Sequence, residues 1–464
     1  MNKRLFLISF ILLILLISST ITAQQLSPQE EKWISKSYRI EKNGWIFLHI
    51  EGEPFERGFQ RGYLTHIEIK EFLNTLTYII EFKSAKKLEY FIERSVEFFK
   101  DKGSKEYNDE MKGIVSGMEK AGTKISFKEI LFMNGFIDIW WYWWDQEKKN
   151  EGPGCSAFIA TGDATTDGKV IMAHNTWFCY YFAQYCNFII DIVPIKGHRI
   201  LMQSWAPFLY SGTDFFITGA GLIGCETTIG GFSGFDKNCT PVFERARKAM
   251  QYANNIDEWS EIMIKDNNGA YANSWLLGDI NTNEIARFEI GLKHHSLEKK
   301  KSGYFTGSNL TQNIKILRDE TDASYDDIRQ CCVARSVRWK QLMKNNFGKI
   351  DIDIAKVLLG DHYDVYLEKE KPGNRTICGH GELDDGSVPG NPWGAYDPCG
   401  AFDGKVVNSD LAKNFKFYAK WGSPCGLGFD ADKYLKRHLQ YDWLKGYITN
   451  LPSKPWTIFP VNKD

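Results

Sequence analysis

The periodicity of the sequence changes at Glu151-Gly-Pro-Gly154, and that change limits the folds open to the chain. Before it, apolar residues recur at helical spacing. Leu88, Phe91, Ile92, Val96 and Phe99 mark one face of a helical stretch spanning 66–100, with Glu and Lys between them. Residues 110–121 read as another helix, running into Gly122. After Gly154, short apolar runs alternate with polar turns. Ser156 to Ala160 and Lys169 to His174 flank the polar turn 161–168 and predict a β-hairpin. Further strands are predicted at 188–193, 199–204, 215–218, 274–279 and 284–289, with helices at 243–253, 257–265 and 329–344. A helical front and a strand-rich back make an α+β chain. Gly, Pro and Asp are dense from 371 to 405, which predicts long ordered loops.

The first 23 residues read as a secretory signal. Lys3 and Arg4 precede an apolar run of 13 residues, Leu5 to Ile17, and Ala23 suits the residue before a signal-peptidase cut. The alternative is a signal anchor, but the run is short for a membrane span. No second apolar run reaches 18 residues, so no transmembrane segment is expected after removal. The expected location is secreted or lysosomal, or periplasmic in a bacterium. Lys plus Arg number 57 against 58 Asp plus Glu, a net charge of −1. Such a balance argues against a nucleic-acid partner.

Ten cysteines follow the leader, which in an oxidising compartment predicts some disulfides of unreadable pairing. They contain no CxxC spacing, so no structural zinc, and no metal or cofactor, is expected. His294, His295 and His380 read as surface or loop residues, and Asp384-Asp385 as a solvated turn. Asn238, Asn309 and Asn374 head glycosylation sequons. Aromatic residues make up 14% of the chain, and four of the five residues 140–144 are Trp. That segment should pack in the core or line a pocket.

The hairpin supplies a candidate site. If its loop is symmetric about Ala164 and Thr165, Cys155 lies directly opposite His174. The plain alternative is a buried Cys and a satisfied core His. Cys155, however, opens a strand and follows Gly154. That placement suits a nucleophile freed by self-cleavage, whose α-amine, with a pKa of about 7.7–8.0, takes the thiol proton. Gly154 leaves the scissile carbonyl unhindered.

Several segments resemble the phospholipase B-like family, and more distantly the penicillin acyltransferase-type autoproteolytic hydrolases. They are Glu51-Gly-Glu-Pro-Phe-Glu-Arg-Gly-Phe-Gln-Arg-Gly62, Glu110-Met-Lys-Gly-Ile-Val-Ser-Gly117, Gly154-Cys-Ser-Ala-Phe158, Met172-Ala-His-Asn-Thr-Trp-Phe178, Asp266 to Trp275 and Gly400-Ala-Phe-Asp-Gly-Lys-Val406. The resemblance implies an N-terminal nucleophile hydrolase: a four-layer α/β/β/α sandwich with two antiparallel sheets. It implies cleavage between Gly154 and Cys155, giving a helical fragment 24–154 that stays attached to a catalytic fragment 155–464. It makes Cys155 the nucleophile, His174 its neighbour in proton transfer and Asn273 an oxyanion donor. Trp177, Trp275 and Asn175 would shape the substrate pocket, with strand packing as the alternative, and Glu226 is a lesser candidate. The expected activity is hydrolysis of an acyl ester or amide bond in a lipid or N-acyl small molecule. The alternatives are an amidase or acyltransferase acting on a non-lipid N-acyl compound, and a non-catalytic secreted binding protein on the same fold.

Overall fold

The alternating apolar runs collect into two large sheets. The computed structural model describes residues 25–144, 154–388 and 394–461. The expected leader and the turn residues 151–153 lie outside the described residues. One sheet has nine strands in the order β1 (Tyr38–Lys42), β2 (Trp45–Gly52), β5 (Phe188–Pro194), β6 (Ile200–Ser204), β7 (Phe215–Thr218), β8 (Leu222–Thr228), β9 (Asn273–Asp279), β10 (Glu284–Ile290) and β11 (His295–Lys300). The second runs β12 (Gly303–Gly307), β3 (Gly154–Gly162), β4 (Gly168–Cys179), β16 (Asp403–Asn408), β17 (Phe417–Trp421) and β18 (Thr457–Phe459), with β15 (Cys399–Ala401) also on β4. Strands β13 (Tyr363–Asp364) and β14 (Lys369–Glu370) form a small hairpin.

The two sheets pack face to face. A Cβ at Gly278 of β9 would sit 2.9 Å from the side chains of Ile159 on β3 and Val170 on β4, so the inner faces of the two sheets meet there. Helices cover both outer faces. On the nine-stranded sheet lie α1 (Pro54–Leu64), α2 (His66–Ser84), α3 (Leu88–Phe99), α4 (Lys105–Lys120), α5 (Val242–Tyr252) and α6 (Ile256–Ile264). On the other lie α7 (Cys331–Asn345) and α8 (Ile352–Leu359), where Trp339 meets Phe158 edge-on at 5.5 Å. This is the four-layer α/β/β/α sandwich expected. Its pairings are antiparallel except β2 with β5, which run parallel from Ile46↔Phe188 to Gly52↔Pro194.

The front segment is therefore not purely helical, since it lends β1 and β2 to the larger sheet. Its two Gly motifs have a packing reason. A Cβ at Gly58 or Gly62 of α1 would fall 1.9 Å from the carbonyl of Glu110 or 2.1 Å from that of Ile114, and at Gly113 or Gly117 of α4 2.2 Å from that of Phe55 or Phe59. Backbone packs on backbone, and only glycine permits it. Between these helices the fully buried Glu110 takes hydrogen bonds from Arg57 (2.7 Å) and from Arg247 of α5 (3.2 Å), with Arg61 at 3.9 Å. The three guanidiniums outweigh burial and hold Glu110 down at about 2.

The Trp-rich run lies in a π-helix, Ile137–Trp144. Trp140 is buried, while Trp141 faces a cavity described below. Four sequence expectations need correction. Asn309 and Asn374 are buried, and the Asn309 amide is bonded on both sides, so neither sequon is open to glycosylation in the folded chain; Asn238 is exposed. His380 is buried rather than on the surface. Asp384 is buried too, accepting from the backbone N–H groups of Asn374 and Gly386. The expected disulfides are not formed either: all ten cysteines are free.

Candidate active site

Strand β3 begins at Gly154, so Cys155 stands at the head of an inner strand. Its partner across the ladder is Thr176, and His174 faces Ala157. The expected pairing of Cys155 with His174 is thus wrong by two residues: the turn between Gly162 and Gly168 is centred on Thr165, which shifts the pairing by one, and an irregularity between Ala160 and Gly162 shifts it by one more. A two-residue slip preserves the face. Cys155, His174 and Thr176 all point into the space between the sheets, with Thr176 opposed to Cys155 and His174 diagonal to it.

The backbone of Cys155 is held at both ends. Its N–H donates to Asn309 Oδ1 at 2.9 Å, and its carbonyl accepts from the Arg335 guanidinium. Arg335 also donates to Asn309 Oδ1 at 2.8 Å and to Ser156 Oγ at 3.2 Å, and its guanidinium lies 4.2 Å from the centre of the Trp177 ring. Asn309 in turn donates to the Thr228 carbonyl at 2.7 Å. Arg335, on α7, is buried, with its donors spent on backbone and amide oxygens.

Two buried polar groups flank the thiol. In one, Lys405 Nζ donates to Thr176 Oγ1 (2.6 Å), Gln203 Oε1 (2.6 Å) and Asp403, while Asp403 accepts from the Thr176 N–H at 2.9 Å. The other is the carboxyl pair Asp214 and Glu226, capped by Tyr271, whose hydroxyl donates to Glu226 at 2.9 Å and accepts from Thr228. Burial lifts Asp214 to about 6, and burial together with the Asp214 charge raises Glu226 well above the carboxylate range. Burial, followed by the charges of Glu226 and Asp214, pushes the Cys155 thiol far up. In the uncut chain Cys155 is a protonated thiol. Burial, then the Lys405 charge, keeps His174 neutral. Beside Thr176, a narrow cavity is walled by Trp141, Phe178, Trp205, Asp214 and Tyr271.

The other residues singled out in the sequence divide. Gly154 is buried and pairs with Trp177, one step from Cys155. His174 and Asn273 are fully buried, and neither ring nor amide makes a hydrogen bond among the described residues. They are polar groups in waiting, not linked to the thiol. Asn175 and Trp177 point to the opposite face of β4. There Asn175 donates to the Leu359 and Ile377 carbonyls and Trp177 to that of Ile377, so both brace a loop and neither lines the Cys155 side. Trp275 faces outward as well, edge-on to Trp259 of α6 at 4.9 Å. All three differ from the expected pocket role because strand alternation turns them away. Glu226, the lesser candidate, belongs to the carboxyl pair.

Arg335 and Asp214 were not singled out in the sequence, and Asn309 was noted only as a sequon. They lie 180, 59 and 154 residues beyond Cys155, and no local spacing connects them. Lys405 and Asp403 carried a signal, since both fall in the Gly400 to Val406 motif.

Fold and site together define the class: an α/β/β/α sandwich presenting a buried cysteine at the head of an inner strand. The chain belongs to the phospholipase B family, whose model matches residues 35–314. An uncharacterized protein of Archaeoglobus fulgidus is 27% identical over 412 residues, covering 76% of this chain and 66% of its own length. Phospholipase B of Crotalus adamanteus is 26% identical over 302 residues, 59% of this chain and 52% of its own. The chain thus spans between half and two thirds of these relatives. A solved penicillin V acylase from Agrobacterium tumefaciens overlays 57% of this chain and 83% of its own at 11% identity and a TM-score of 0.30, too loosely to bear on chemistry. Among the described residues no helix is long and apolar enough to cross a membrane.

Proposed function

We propose that this protein is an exported, self-processed cysteine hydrolase of acyl bonds. The observation that carries the reading is the two-sided grip on Cys155, with Asn309 at its nitrogen and Arg335 at its carbonyl. Every buried backbone group needs a partner, but here both partners are side chains, so the grip on Cys155 does not depend on the peptide bond to Gly154.

In the processing step, the Cys155 sulfur attacks the Gly154 carbonyl. The Gly154–Cys155 C–N bond breaks as the nitrogen takes up a proton, leaving a thioester. Water hydrolyses it to a Gly154 carboxylate and a free Cys155 α-amine. Asn309 Oδ1 then accepts from that amine, which in its neutral form takes the thiol proton. A substrate acyl group follows the same course, through an acyl-thioester that water releases. The resemblance assigns the oxyanion donor to Asn273, whose amide is unspent but which shares the Trp275 side of β9; losing one such donor costs about 10²–10³ in rate. His174, kept neutral by burial and on the same face as Cys155, is the residue assigned to proton transfer.

The name of the Crotalus relative points to a phospholipid ester as the bond cleaved. The leader at 1–23 supports a secreted or lysosomal protein. The test is acid release from phospholipids and N-acyl amides by the matured protein and by Cys155→Ala. Release confined to the wild type supports the reading. Equal release by both proteins contradicts it.

A further inference from the structure

On the far side of β4 from Cys155, four metal-binding side chains from three separate segments converge. The ligand atoms of His362, Cys378, His380 and Cys425 all lie within 4.8 Å of one another. His380 Nε2 stands 3.5 Å from Cys378 Sγ and 3.4 Å from Cys425 Sγ. A tetrahedral zinc with Zn–S near 2.3 Å and Zn–N near 2.0–2.1 Å places sulfur and nitrogen about 3.5 Å apart.

Three further features fit an ion at their centre. His362 Nε2 is buried with no hydrogen-bond partner among the described residues. The other nitrogen of His380 is bonded to Glu382 at 2.8 Å, the carboxylate–histidine arrangement that orients a metal ligand. Glu382 is itself fixed by the Tyr180 hydroxyl at 2.8 Å. The backbone N–H of Leu427 donates to Cys425 Sγ at 3.3 Å, a contact that favours thiolate. Between the two ligands Cys378 and His380 stands Gly379, where a Cβ would lie 2.2 Å from the Trp177 indole.

We propose that these four residues bind one zinc ion. Two thiolates and two imidazoles form a closed set with no open position, so the ion is structural. Binding releases the two thiol protons, and zinc keeps its oxidation state. The ion ties His362, the 378–380 turn and the 425 loop together behind Trp177. Residue 377, whose carbonyl accepts from Asn175 and Trp177, adjoins that turn, so the ion braces the strand flanking Cys155. All four ligands lie beyond residue 314, outside the stretch that matches the family. The spacing, His-x15-Cys-x-His-x44-Cys, has no paired-cysteine signature, which hides it in the sequence.

The test is elemental analysis of the full, untagged protein made in zinc-supplemented medium, followed by cobalt(II) exchange. The expected result is about one zinc per chain and a cobalt form with thiolate charge-transfer absorption and tetrahedral ligand-field bands. Glu382→Gln, which spares the ligands, should weaken zinc binding by about 10–100-fold in a chelator competition. Cys425→Ser should abolish the charge-transfer intensity contributed by its sulfur. Zinc well below one per chain together with a Cys378–Cys425 disulfide in peptide maps overturns the proposal. So does a cobalt spectrum without thiolate bands, a measurement on the wild type that needs no variant to fold.

Discussion

At the scale of single residues, Cys155 is controlled through its backbone more than through its thiol. Asn309 Oδ1 accepts from both Cys155 and Arg335, so Asn309→Ala strips two buried donors of their acceptor. Each such loss costs about 1–3 kcal/mol. We expect a lower urea midpoint and slowed appearance of the cut chain on gels, while Asn309→Asp restores the midpoint in part. The carboxyl pair makes a separate prediction about pH. Asp214 is raised from 3.8 to about 6 in the folded chain, so its contribution to stability is full below pH 3.8 and is lost as pH rises through 6. The stability of wild type relative to Asp214→Asn should therefore fall between pH 4 and pH 6.5, read from paired denaturant titrations. Cys155 was legible in the sequence because a Cys after Gly at a strand start is a local pattern. Its holders were not, because each arrives from a distant segment and an Asn or Arg carries no mark of what it will touch.

At the scale of elements, glycine spacing decides how the front helices meet. The motifs around Gly58 and Gly117 were recognisable as sequence, but their reason, carbonyls about 2 Å from where a Cβ would stand, is a property of the packed pair. Gly58→Ala should force α1 and α4 apart and cost about 1–3 kcal/mol or more. A drop in melting temperature without loss of helical circular dichroism at low temperature would report it. The strand and helix positions were read well because burial imposes periods of 2 and 3.6 on the sequence. The hairpin register was not, because the turn centred on Thr165 and the irregularity next to Gly162 each shift the pairing by one residue, together leaving the alternation intact. The same alternation explains why Asn175 and Trp177, neighbours of a site strand, face away from the site.

At the scale of the whole molecule, the front segment is bound to the rest by more than the peptide at 154. The parallel β2–β5 ladder and the Glu110–Arg247 contact both cross that division. The two pieces should stay together after cleavage, co-eluting on gel filtration and parting only in denaturant. Glu110 is lowered from 4.5 to about 2, so its contribution is complete above pH 4.5 and is lost as pH falls toward 2. That amounts to about 3 kcal/mol. Glu110→Gln leaves three buried guanidiniums short of their carboxylate and should destabilise by about 3–5 kcal/mol at pH 7, with a flatter acid limb in urea titrations.

The central claim is that Cys155 frees its own nitrogen and then serves as the nucleophile. Intact mass and N-terminal sequencing of the purified wild type, beside Cys155→Ala and after incubation at mildly acidic pH, tests it most directly. The account predicts two fragments from the wild type, one beginning at Cys155, and an unbroken chain from the variant. A wild type that stays whole, or a variant cut at the same bond, would contradict it.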